Sequence, residues 1–478
     1  MAILTYDLPP GVNSDDSPGA VSAAWVDTDN VRFRLGRAES IGGWTRLISS
    51  AVPGRVRSLY AQRNPASDSV VIAASHTHLT LVSGGAAVDI TPAGLLPGAA
   101  DSGAGIAARV WTHAQFGRLV LSNVRGGSIY FWAGDPGERA AVLTASPRAG
   151  SIFTTPERIV VALGSDDEIT GAYNPLLIRW SDSENIEDWT ASSTDLAGSY
   201  EIQVGSELVG GLALTRQHAV WTDEALYTMA YTADNLVWAI DLAGTSCGLI
   251  APLAAAEAGG TVYWMSGVGE FFRFSGGAPE PIPCPVRERV FDGLNRDQAI
   301  KIVCGLNPRF GEIWWFYPSP GSSENDRCVL YNFRENHWAV GSVPRSAFGH
   351  FPAFFDKPLA ASSDGVLWVH EDGANADGQP IEWMLRSGRA APSEDATQIA
   401  LAVWPDFEAL AGSATVTITG RLGRQDATGQ DVSRVVNAEA RRAAIRLLGR
   451  DFEISYTGAG RMRLGAPRLE YQPSGARY

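Results

Sequence analysis

The stretch Val262-Tyr-Trp-Met-Ser266, Gly267-Val-Gly269, Glu270-Phe-Phe-Arg-Phe274 reads as two β-rich runs joined by a glycine turn. The same unit recurs along the chain. Before it come Val70-Val-Ile-Ala-Ala74, Leu119-Val-Leu-Ser-Asn123 with Ser128-Ile-Tyr-Phe-Trp132, and Ile159-Val-Val-Ala-Leu163 with Leu177-Ile-Arg-Trp180. Leu212-Ala-Leu-Thr215 with Ala225-Leu-Tyr-Thr-Met229 precedes it directly. After it stand Ile313-Trp-Trp-Phe-Tyr317 with Val329-Leu-Tyr-Asn-Phe333, and Leu359-Ala-Ala-Ser-Ser363 with Val366-Leu-Trp-Val-His370. Seven units thus lie between residues 70 and 366, at a mean step of about 48 residues, the size of a four-stranded propeller blade. Each meander has an apolar face that it cannot bury alone, and radial stacking buries it while leaving only short edges. The expected fold is all-β: a β-propeller of about seven degenerate blades, with six or eight as the alternatives and a linear array of sandwiches as the rival.

Two segments lie outside the repeat. Residues 1–53 hold Asp29-Asn-Val-Arg-Phe-Arg-Leu35 and Arg37-Ala-Glu-Ser40, a strand–turn–strand pattern. Residues 392–478 contain the alternating strand Ala414-Thr-Val-Thr-Ile-Thr419 and the run Ala438 to Leu448. That run is locally a helix former with Gly449 as its stop, although sheet context can override propensity. The expected organisation is a propeller over 54–391 and a smaller β-rich platform formed by 392–478 together with 1–53.

Composition narrows the function. The 478 residues carry 38 basic and 52 acidic side chains, net −14, which excludes generic electrostatic gripping of nucleic acid. Residues 392–478 hold 11 Arg and 10 acidic residues, so nearly all the acidity belongs to the larger part. Cys247, Cys284, Cys304 and Cys328 form no CxxC pair and read as reduced core thiols. No secretion signal and no membrane span is legible, so the expectation is a soluble protein made in a reducing compartment, without membrane insertion.

No catalytic constellation stands out. Gly244-Thr-Ser246-Cys-Gly248 matches the G-x-S-x-G elbow, but it falls in an antiparallel repeat rather than between a parallel strand and a helix. Ser246 is therefore expected not to be a nucleophile, although His337, His350 and His370 follow it. His76 and His78 would share one strand face, yet no further ligand lies at metal spacing. Ser362-Ser-Asp-Gly-Val-Leu-Trp368 approaches the S-x-D-x-G-x-x-W turn of sialidase-like propellers but lacks one residue and occurs once. The expectation is no enzyme, no cofactor and no metal.

Several runs resemble the tail nozzle proteins of short-tailed bacteriophages, also called tail tubular protein B or packaged-DNA stabilisation proteins. They are Leu8-Pro-Pro-Gly-Val-Asn13, Ala24-Trp25 through Asn30-Val-Arg-Phe-Arg-Leu-Gly-Arg37, and Gly42-Gly-Trp44. Ile178-Arg-Trp-Ser-Asp182 with Asp188-Trp-Thr190, Val262-Tyr-Trp264, Glu312-Ile-Trp-Trp315, Glu324-Asn-Asp-Arg327 and His370-Glu-Asp-Gly373 continue the likeness. Arg446-Leu-Leu-Gly-Arg450 and Arg463-Leu-Gly-Ala-Pro-Arg-Leu469 close it. The resemblance implies a non-enzymatic virion protein of the tail, assembled in the host cytoplasm. It would form a homo-hexameric tube beneath the head–tail adaptor, conduct and retain genomic DNA without reading its sequence, and anchor tail fibres or spikes. A carbohydrate-binding or carbohydrate-degrading propeller on a phage tail is the alternative.

Two surfaces follow as expectations. Arg446, Arg450, Arg463 and Arg468 are the candidates for meeting the adaptor, against internal pairing with Glu439, Asp451 and Glu470. Asp166, Asp167 and Glu168, with Asp182, Glu184, Glu187 and Asp188, are the candidate acidic loops of a lumen that repels DNA, against a plain solubility role.

Overall fold

In the computed structural model, which describes residues 2–16, 24–64, 67–233, 236–392, 396–423 and 426–474, the strand Glu312–Tyr317 is buried along its whole length. A strand with packed layers on both faces needs apolar side chains at consecutive positions rather than at alternate ones, and Ile313-Trp-Trp-Phe316 supplies them. It is the second strand of a four-stranded antiparallel meander, Val303–Asn307, Glu312–Tyr317, Arg327–Asn332 and His337–Gly341. Six such sheets and a closing one make seven blades, numbered here I to VII along the chain. Their first strands start at Val56, Trp111, Ala149, Leu208, Ala255, Val303 and Ala347. The first strand of blade VII packs against that of blade I, so the ring is closed. The chain is a β-propeller, with each of the seven sequence units in its own blade.

The seam is non-local. Blade VII takes its fourth strand, Trp44–Arg46, from the early part of the chain, and pairs it antiparallel with Leu367–His370, Thr45 opposite Val369. The Leu47 amide then donates to the Leu367 carbonyl, and the Val52 amide to the Gly365 carbonyl, both at 2.9 Å. Gly365 has φ +84°, and a Cβ there would lie 2.2 Å from the Val52 carbonyl oxygen, so this close approach requires glycine. The Ser362 turn is built to match: Trp368 Nε1 donates to Ser362 Oγ at 2.9 Å, and Ser362 Oγ to Asp364 Oδ1 at 2.5 Å.

Three further sheets form the platform. The first joins Ala2–Thr5, Arg468–Pro473, Gln398–Trp404 and Ala443–Gly449. The second joins Trp25–Asp29, Glu382–Ser387, Asp451–Ala459, Ser413–Arg421 and Gln430–Asn437. The third joins Val31–Arg34, Arg37–Ser40, Met462–Leu464 and Phe407–Leu410. The strand pairing moves two expected boundaries. Residues 44–46 belong to the propeller rather than to the platform, and 382–387 to the platform rather than to the propeller. The helix expected over 438–448 is also corrected. Ala443–Gly449 is a strand whose Ala443, Ile445, Leu447 and Gly449 face the core, and that alternation overrides the helix propensity of Ala, Arg and Leu.

The platform sits on the flank of blade VI. Val12 donates its amide to the Trp338 carbonyl at 2.8 Å, and Thr28 Oγ1 donates to the Val340 carbonyl at 2.9 Å. At the junction Arg32 is fully buried between Glu312 of blade VI, at 2.9 Å, and Glu371 of blade VII, at 2.5 Å. Asn307 Nδ2 and Trp314 Nε1 donate to the same carboxylates, so the buried charges keep hydrogen-bond partners. Drawn along the strand pairing, residues 1–43 and 382–478 hold 16 basic and 17 acidic residues, net −1, against 22 and 35, net −13, for the remainder.

Candidate functional site

The ring axis holds a cavity of about 1370 Å³, walled by first-strand residues that include Tyr60, Gln115, Phe153, Leu212, Cys304 and Phe348. It opens on the face that carries the turns between first and second strands, at Gly117, Pro156, Arg216, Gly260 and Phe351. Charge is confined to that rim, at Arg158, Arg216 and Glu257. Below the rim the polar groups are hydroxyls, amides and His113, which bridges Ser58 Oγ at 2.8 Å and Ser122 Oγ at 2.9 Å. Burial pulls the His113 imidazole down to about 3, so it is neutral there.

The opposite face is bridged. Asp101, in the connection after blade I, accepts from Lys301 Nζ at 2.6 Å and from Arg55 at 2.7 Å. Glu324, in a turn of blade VI, pairs with Arg57 at 2.5 Å and with Arg55 at 2.8 Å. Ser102 and Gln298 exchange two more hydrogen bonds, of 3.0 and 2.8 Å. The connection after blade I therefore reaches the segment before blade VI, and ion pairs tie blade I to blade VI past blade VII. Burial acts to raise the Glu324 carboxyl, but Arg57, Lys301 and Arg55 outweigh it and hold it below its ordinary value. The sequence marked Glu324 only as part of a family-like run and gave no sign of its partners, because Arg55 and Glu324 stand 269 positions apart and no spacing rule covers such a pair.

The structure brings both acidic loops to blade III. Asp166 pairs with Arg148 at 2.7 Å, Glu168 with Arg179 at 3.6 Å and Glu184 with Arg158 at 3.4 Å. The Ala191 amide donates to Glu168 at 3.4 Å, which ties one loop to the other. Asp167 and Asp188 cap local turns, through Thr170 and Thr190, and Asp182 accepts from the Leu196 amide. Among the described residues, Asp167, Asp182, Glu187 and Asp188 have no cationic partner. None of the seven lines the axial well.

The four platform arginines divide. Arg463 pairs internally, with Glu39 at 3.0 Å and Glu408 at 2.9 Å, and is not available to a partner. Arg450 is half-buried and engaged within the chain. Arg446 and Arg468 are exposed on the first sheet and make no ion pair among the described residues. Glu470 is taken by Arg442 at 3.1 Å rather than by any of the four.

The motifs set aside in the sequence occupy structural places. Ser246 lies exposed in the connection from blade IV to blade V at φ +56°, with no helix after it. His337, His350 and His370 belong to blades VI and VII. His76 and His78 stand in a turn of blade I rather than on a shared strand face. His76 Nδ1 accepts the Arg55 amide at 3.0 Å, and His78 Nδ1 meets Thr77 Oγ1 at 2.8 Å. Among the described residues no group of three or more His, Cys, Asp or Glu could hold a metal, and no helix is long and apolar enough to cross a membrane.

No family model and no curated protein matches the chain. Solved structures similar to it include YCF48 from Cyanidioschyzon merolae, at 8% identity over 69% of this chain and 99% of that one, TM-score 0.41. YCF48 bound to D1 peptide is 11% identical over 69% and 99%, TM-score 0.39. BamB from Moraxella catarrhalis is 12% identical over 68% and 97%, TM-score 0.36. The propeller assignment rests on the strand pairing described above.

Proposed function

We propose that this chain is a structural virion protein, a subunit of the tail nozzle of a short-tailed phage. In this reading copies form a hexameric tube below the head–tail adaptor, conduct and retain the genome, and anchor fibres or spikes. It acts by shape and assembly, without catalysis and without a cofactor.

The observation that carries the reading is where the family-like runs fall. Arg32, Glu312 and Glu371 come from three of those runs and meet in the buried cluster that joins platform to propeller. Glu324 comes from a fourth and ties blade VI to blade I through Arg57 and Arg55. Arg179 and Trp180 come from a fifth and tie down the long loop of blade III, by donating to the Trp189 and Leu196 carbonyls. The resemblance thus concentrates on the joints of the architecture, as expected where an architecture rather than a reaction is inherited. Six copies at −14 each would make a strongly acidic tube.

The test is particle architecture. Imaging of the source particle with this chain labelled should place six copies around the exit channel, and the purified adaptor should capture the chain. A peripheral position on the tail would overturn the reading. A second reading, a glycan-binding propeller, draws on the uncharged and partly aromatic wall of the well; glycan capture without adaptor capture would favour it.

A further inference from the structure

Blade III is strongly acidic, while the platform is nearly neutral and lies across the ring from it. The span 149–201 holds ten acidic residues and two Arg, net −8, more than half the charge of the whole chain. Its outer strand, Gly198–Glu201, is a free sheet edge with Ser199, Tyr200 and Glu201 exposed. Ile169, 94% exposed, and Tyr200, 44% exposed, add apolar surface among the carboxylates. The outer face of the first platform sheet has the complementary make-up. Ile3 is 61% exposed, and Trp404 and Leu448 are 37% exposed each. Arg446 and Arg468 flank them, and the carboxylate of Glu470 is already neutralised by Arg442. The platform joins the propeller through its other two sheets, at Trp25–Asp29 and Val31–Arg34, which leaves this face turned to solvent.

Position adds the second argument. The platform is fixed to blades VI and VII, and in a ring of seven the blade opposite that pair is blade III. Complementary patches at opposite ends of one molecule are what a head-to-tail contact requires, and such contacts close into rings when the rotation allows. We propose that copies of this chain pack head to tail, the outer face of the first platform sheet of one copy against the rim of blade III of the next. The occupant of the platform face is thus a second copy, with Arg446 and Arg468 opposite Glu187 and Glu201. The inference rests on the reading of the chain as a ring-forming subunit and names the surfaces that form the ring.

The experiment is a charge exchange on the full-length chain, read by light scattering and sedimentation. The double variants Arg446→Glu with Arg468→Glu, and Glu187→Arg with Glu201→Arg, alter only exposed side chains; thermal melting of each verifies folding. Each alone should weaken self-association by about ten-fold or more, since like charges then face each other. An equimolar mixture should reassemble, because each reversed head meets a reversed tail. Double variants that assemble like the parent, or a mixture that stays monomeric, would overturn the proposal. So would a parent chain that remains monomeric at micromolar concentration. The tube reading fails separately, if six-fold copies are missing from the exit channel of the particle.

Discussion

His370 is buried and His113 half-buried in the wall of the well, both with neutral rings, and both weaken the fold in acid. Burial pulls His113 down to about 3, and burial with the nearby Arg345 and Arg32 holds His370 well below its ordinary 6.5. Below pH 6.5 the unfolded chain takes up a proton at each of these two positions that the folded chain refuses, so their contribution is whole above that pH and falls as pH drops. Each histidine contributes roughly 1.4 kcal/mol of loss per pH unit in that range. The carboxyls of Asp101 and Glu324 are depressed, so their contribution persists until pH falls below the ordinary carboxylate range. Denaturant midpoints should therefore drop between pH 6.5 and 5, and His113→Gln should flatten that slope; an unchanged slope would show that His113 titrates normally. Arg32 makes a second prediction at this scale. Arg32→Met strands Glu312 and Glu371 in the interior and should cost about 3–5 kcal/mol. Adding Glu312→Gln and Glu371→Gln should recover part of it, which urea unfolding of the two variants measures.

The strand Trp44–Arg46 completes the last blade, because it supplies from the early chain the fourth strand that blade VII lacks. Thr45 and Val369 are opposed across this antiparallel pair, at a separation that a disulfide can bridge. A Thr45→Cys, Val369→Cys variant should oxidise without distortion and raise the melting temperature by several degrees over its reduced form. Failure to oxidise in the folded state would contradict the register. Such a seam is hard to read from sequence, since its two strands stand more than 300 residues apart, and this is why 44–46 was grouped with the platform. The blades were legible for the opposite reason: their second and third strands are packed on both faces and write continuous apolar runs such as Ile313-Trp-Trp-Phe-Tyr317. Some first and fourth strands are short and made of small residues, as in Ala255–Ala258 and Ala86–Asp89, and leave little signal. The strand Ala443–Gly449 is ambiguous in sequence, because Ala, Arg and Leu favour helix locally while its apolar residues alternate. The four platform arginines were legible as a group, but only the strand register separates exposed Arg446 and Arg468 from Arg463, which pairs with Glu39.

At the scale of the whole molecule, the axial well cannot carry a duplex. Spread along inner strands of about 20 Å, a cavity of about 1370 Å³ averages about 9 Å across, narrower than the roughly 12 Å major groove of B-DNA alone. In the proposed tube the genome must therefore pass between copies and not through any propeller. What lines that passage decides whether DNA slides or sticks. Each phosphate held by a cation releases counterions and adds to a grip that would act as a brake on ejection. Eleven of the twenty arginines of the propeller pair with carboxylates, and the acid excess centres on blade III. A wall of carboxylates would instead keep the duplex near the axis, over a screening distance of about 8 Å at physiological ionic strength. The assembled protein should accordingly show no tight retention of duplex DNA in a mobility-shift or filter assay at physiological salt, and little more at low salt. Tight binding that weakens steeply with salt, or a continuous belt of Arg along the wall of the assembled channel, would defeat this account. Retention of the genome would then rest on cationic contacts and not on steric closure or a partner protein.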